Sequence, residues 1–117
     1  MTEIANVEGI EHLGNPRFLE LNAQERAIHI AKAAGYSGSD NPDTWANFRE
    51  AENWGDTPLR GCLVRMGDKY KRAQNIFRNP DNDRVGEPLV VTLMDLSNYA
   101  KIAICLYEEE QAAKVEA

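Results

Sequence analysis

TLMDLSNYAKIAICLYEEE, residues 92–110, has the period of a single helix, and its reading decides the fold. At 100° per residue the main stripe, begun at Leu89, runs through Leu93, Leu96, Ala100, Ala103 and Tyr107. The opposite side carries Val91, Met94, Asp95, Asn98, Ile102 and Cys105, so it is not a water face. A helix apolar on both sides is central in its domain or covered by a second subunit. In either position Asp95 needs a cation, a metal or hydrogen-bond donors, because an unpaired carboxylate is costly away from water.

Upstream, DTPLRGCLVRMGDKYKRAQNIFRNP predicts a helix capped by Thr57, with Pro58 at its first position and its end before Pro80. Leu63, Met66, Tyr70, Ala73 and Phe77 form its apolar stripe. Arg65, Asp68, Lys69 and Arg72 share a polar face, and beside the last helix they would make a polar centre with Asp95 and Asn98. NPDTWANFREAENWG predicts a further helix, capped by Asn41 with Pro42 next and closed by Gly55. Asn22 and Glu25 resemble a capping box opening a helix over about 23–34, which Gly35 would end. Residues 1–21 hold apolar positions without a sustained period and are read as an N-terminal arm. The expectation is an all-α bundle of about four helices, one domain over residues 22–117, assembled into a homo-oligomer.

Composition bounds the partners. The chain has 117 residues, 43% hydrophobic and 27% charged, as in ordinary globular domains. A formal charge of -6 argues against duplex nucleic acid, whose affinity comes from basic residues on phosphates. Cys62 and Cys105 belong to no zinc-ligand pattern. No secretory signal and no apolar run near membrane-spanning length is read, so a cytoplasmic protein without a membrane partner is expected. His12 and His29 have no neighbouring nucleophile or carboxylate and are not assigned to catalysis. The Gly-x-x-Gly of GYSGSDNPDTW is a weak phosphate-loop signal. Glu108, Glu109 and Glu110 at a helix C-terminus suit a solvated end or a partner's basic residues.

The segments RMGDKYKRAQNIFRNP, VGEPL and TLMDLSNYAKIAI resemble phage and prophage proteins of the nucleotide-modification-associated class. The matching positions are Arg65, Asp68, Lys69 and Arg72, then Glu87, then Asp95, Leu96, Asn98, Tyr99 and Ala100. That class is distantly similar to the all-α, MazG-like nucleoside-triphosphate pyrophosphohydrolases. The resemblance implies a nucleotide-class ligand held by Arg65, Lys69, Arg72, Asn98 and Tyr99, with Trp45 available to stack on a base. It also implies Mg²⁺ on Asp68 and Asp95 if the protein is an enzyme. The hydrolases carry Glu-x-x-Glu and Glu-x-x-Asp, however, where this chain has Arg65/Asp68 and Thr92/Asp95. One carboxylate per helix favours a binder that needs no cofactor, such as a phage protein sequestering an immune-signal nucleotide. A structural protein whose ion-pair centre only fixes packing is the further alternative.

Overall fold

The computed structural model describes residues 4–37 and 43–116. Over these the chain is all-helical, with α1 at Pro16–Ser37, α2 at Ala46–Arg49, α3 at Pro58–Arg78 and α4 at Leu89–Glu116. Short 3-10 turns occupy Glu11–Leu13, Glu50–Trp54 and Pro80–Asn82. The expected caps at Asn41 and Pro42 and the second glycine of the Gly-x-x-Gly lie outside the described residues.

α3 begins and ends as its sequence dictates. The Thr57 hydroxyl accepts from the Arg60 backbone N–H, Pro58 fills the first turn, and Asn79 follows the last residue in extended conformation. α4 runs from just after Pro88 into the acidic tail. These two helices form the main antiparallel pair: contacts run from Arg72 against Glu87, through Lys69 against Asp95, to Cys62 against Tyr99.

The core is Phe48, Cys62, Ile102, Ala103 and Leu106, with Trp45, Leu59, Met66 and Tyr99 packed around it. Cys62 is fully buried, and its thiol donates to the Tyr99 carbonyl at 3.4 Å. Burial pushes this thiol's pKa up. Both cysteines are free.

Three expectations change. α1 starts at Pro16, where the Asn15 side chain accepts from the Phe18 N–H, so Asn22 and Glu25 are interior positions and Gly35 lies within the helix. The segment after residue 42 is one α-turn followed by a 3-10 turn, because only Phe48 and Trp45 of its large side chains pack on the core, while Trp54 is exposed. Gly55 closes it with φ of 74°, a left-handed value that favours glycine. Lastly, the expected stripes hold at Met66, Ala73 and Ala103, and the buried faces otherwise take in residues beside them. In α3 they are Cys62, Ala73 and Ile76, while Leu63, Tyr70 and Phe77 are exposed. In α4 they are Thr92, Asn98, Ile102, Ala103 and Leu106, while Leu93 and Tyr107 are exposed.

α4 is also long and apolar enough to cross a membrane by length and composition. The residue-by-residue reading had not expected this, since Asp95 and Lys101 interrupt its apolar run.

Candidate functional site

The polar centre between α3 and α4 exists, and it is closed on itself. Asp95 Oδ2 lies 3.0 Å from Lys69 Nζ, and its Oδ1 lies 3.2 Å from Lys32 Nζ of α1. Lys69 also reaches Glu87 at 3.2 Å. Arg72 donates to Asp83 Oδ1 at 2.9 Å and to the Glu87 carbonyl at 3.1 Å, while Asp83 Oδ1 accepts from the Glu87 N–H. Arg72 Nε stands 2.7 Å from Glu87 Oε2, an ion-pair contact without hydrogen-bond alignment. Three cations therefore face three carboxylates. Burial works to raise the Asp95 pKa, but the hydrogen bonds and charges of Lys69 and Lys32 outweigh it and hold the carboxyl below its ordinary value. For Lys69, burial works downward, and Asp95 and Glu87 outweigh it to hold the ammonium pKa up.

The other site residues read from the sequence are dispersed. Arg65 leaves the centre and places its guanidinium 5.1 Å from the centroid of the Phe48 ring. Asp68 is exposed and lines an outer recess with Lys71, Arg72, Asn75, Ile76 and Asn82. Both Asp95 oxygens are occupied by lysine ammonium groups. Among the described residues no three His, Cys, Asp or Glu side chains converge as a metal-holding group. Thr92 is fully buried, and its hydroxyl meets no hydrogen-bond partner among the described residues.

A different arrangement lies on the side of α4 turned to α1. Here the helices diverge around a cleft of about 490 Å³ lined by Asn22, Glu25, Arg26, His29, Trp45, Asn98, Lys101, Ile102 and Cys105. The volume is in the range of small-molecule sites. One wall is aromatic: the His29 and Trp45 rings are 5.9 Å apart, and the series continues through Phe48 to Tyr99 by edge contacts of 6.4 Å. Trp45 is positioned through Asp43, whose carboxylate accepts from the Trp45 N–H at 3.0 Å and pairs with Arg49 at 2.5 Å. Arg49 in turn reaches Glu109 on α4 at 3.0 Å, so the acidic tail fastens α2.

Two polar side chains of this cleft, Glu25 and Asn98, are largely buried and incompletely used. Glu25 is 6% exposed; its Oε2 accepts from Lys101 at 2.6 Å and Ser97 at 3.0 Å, while Oε1 has no partner among the described residues. Asn98 is likewise 6% exposed, and no hydrogen bond within the described residues involves its amide. Arg26 stands exposed at the rim without an ion pair among the described residues. Such a cleft can hold a flat ring against Trp45, exchange hydrogen bonds with Asn98 and Glu25, and offer a cation to an anionic substituent.

Trp45 and Asn98, both among the site residues read from the sequence, line this cleft, whereas Glu25, Arg26 and Lys32 are not among those residues. A signal was present: Leu21, Glu25, His29 and Lys32 recur at spacings of four, four and three, a stripe that faces the rest of the chain. Comparison with known proteins adds no relative, since no family model, curated protein or solved structure matches this chain.

Proposed function

We propose that this protein binds a nucleotide-class small molecule in the cleft between α1 and α4 and performs no chemistry on it. The supporting observation is Asn98: a largely buried residue whose amide has no hydrogen-bond partner among the described residues and opens on a small-molecule-sized cleft beside Trp45. Glu25 Oε1, in the same lining, is a buried oxygen with no partner among the described residues, and a buried polar group left unsatisfied costs free energy, so the cleft is stabilised by a ligand that pairs with it. The base would lie along Trp45 and His29, its hydrogen-bonding edge would meet Asn98, and Arg26 would neutralise phosphate at the rim. Lys69 and Arg72, committed to Glu87, Asp83 and Asp95, are not the phosphate grip in this reading. Sequestration of a signalling nucleotide by a phage-type protein is a use that such binding suits.

The test is calorimetry and thermal shift across nucleosides, nucleotides and cyclic dinucleotides. A ligand at a hundred times its dissociation constant stabilises by about 2.7 kcal/mol, a readily measured shift. Asn98→Ala should weaken binding about three- to tenfold, the worth of one neutral hydrogen bond. Arg26→Met should remove the preference for nucleotide over the matching nucleoside. Absence of any heat or shift across the panel would end the proposal.

The closed network of Lys32, Lys69 and Arg72 with Asp83, Glu87 and Asp95 supports a second reading, in which the chain is an interaction protein whose ion pairs fix helix register. Under it, Asp95→Asn would impair folding, and the nucleotide panel would give nothing.

A further inference from the structure

The single chain is too open for its mass. Its Cα radius of gyration is 17.0 Å, where about 13 Å is usual for a domain of this length. Its accessible surface is 8943 Å², against about 6,400 Å² for a folded monomer of 13.1 kDa. The excess, about 2,500 Å², has the size of the surface each partner gives up in a large obligate homodimer. Part of it belongs to the arm before α1, which is exposed over residues 4–15. Much of the rest is apolar: Phe18, Leu19, Ile28 and Ile30 of α1 and Val90, Val91, Leu93 and Ile104 of α4 are all exposed.

Three of these side chains, Phe18, Val90 and Leu93, line a second cleft, on the opposite side of the Glu25–Lys101 contact from the ligand cleft. It measures about 470 Å³, and its apolar lining is Phe18, Leu21, Val90, Leu93 and Met94. Its only charged lining residues are Glu25 and Lys101, which neutralise one another at 2.6 Å. Neutrality matters for the choice of occupant. Two copies of a chain of charge -6 repel, and a facing patch without net charge adds nothing to that repulsion.

We infer that a second copy of this chain covers this face, each copy setting Phe18 into the Val90/Leu93/Met94 groove of the other across a twofold axis. An isologous contact of this kind closes at the dimer and buries the same patch twice. Lipid is the poorer occupant. Only 22% of the apolar window of α4 is buried within the chain, yet that helix carries Asp95 and Lys101, paired to Lys69, Lys32 and Glu25. Insertion would take those charges into hydrocarbon. This inference stands on surface and charge and is independent of the nucleotide reading.

Sedimentation equilibrium of the full chain should return at least twice the chain mass of 13.1 kDa. Leu93→Glu, at an exposed position, should return the single-chain mass with helical circular dichroism retained. Tyr107→Glu, which lies outside the groove, should leave the assembly intact and controls for a general effect of added charge. A wild-type chain that stays at single mass, or an assembly indifferent to both Leu93→Glu and Phe18→Asp, would overturn the inference. So would co-flotation of the wild-type chain with phosphatidylcholine vesicles as a single-mass species.

Discussion

Asp95 joins three helices: its two oxygens lie 3.0 Å from Lys69 on α3 and 3.2 Å from Lys32 on α1, while its own backbone belongs to α4. α1 otherwise touches α4 mainly through Glu25, so this carboxylate is one of two polar points that set where α1 lies. Asp95→Asn removes the charge and keeps the shape. Breaking a fully buried ion pair costs about 3–5 kcal/mol, and the partial exposure of Lys69 and Lys32 reduces the expected loss to about 1–3 kcal/mol. Urea denaturation measures it; a loss no greater than that of an exposed control such as Asp81→Asn would contradict the role.

The same network sets a pH profile. Asp95 titrates below its ordinary value of 3.8 in the folded chain, so its contribution is complete above the unfolded pKa and disappears as pH falls through the folded one. Lys69 is held above its ordinary value of 10.5, so its contribution is complete below that value and disappears as pH rises through the folded pKa. Stability should form a plateau between about pH 5 and 9 and fall at both ends. In Asp95→Asn the acid limb should be shallower, which denaturation midpoints at pH 3 to 6 would reveal.

Thr92 bears on the missing hydrolase acid. It is fully buried and its hydroxyl is unpaired, so Thr92→Val should leave stability unchanged or raise it by about 1 kcal/mol. Thr92→Asp, which restores the acid of the hydrolase pattern, places an uncompensated charge at a fully buried position and should cost about 3 kcal/mol or more. Equal stability of the two variants would show that position 92 is better solvated than its burial implies.

The boundaries of α3 and α4 were legible because they rest on local chemistry: Thr57 with Pro58, Pro80 and Pro88 act through their own backbones. The need of Asp95 for a cation, a metal or hydrogen-bond donors was legible too, and Lys69 is one of the two groups that meet it. The orientation of the helices was not. α4 is apolar on two sides, so periodicity alone did not say which one is buried, and the single stripe read for α3 holds at Met66 and Ala73 while Leu63, Tyr70 and Phe77 are exposed and Cys62 and Ile76 are buried beside it. Glu25 was misread for a related reason, since Asn22 three residues earlier suggested a cap, although Asn15 before Pro16 supplies one. Lys32 lies far from Asp95 in sequence, and only the tertiary fold brings it there.

Arg49 offers a direct test of how the ligand cleft is held open. Its guanidinium bridges Asp43, which positions the Trp45 backbone, and Glu109 on α4, and these partners hold its own pKa above the usual arginine value. Arg49→Met keeps the aliphatic stem and removes both pairs. α2 is a single turn with little stability of its own, so Trp45 should leave its place against His29 and Phe48 and become hydrated. Trp54 is 85% exposed and would mask the change, so the measurement belongs in a Trp54→Phe background. There the Trp45 emission should shift to the red in Arg49→Met, and the midpoint should fall by about 1 kcal/mol, in keeping with partly exposed pairs. An unshifted spectrum would mean that Trp45 is held by its ring contacts alone, and the acidic tail would lose its part in shaping the cleft.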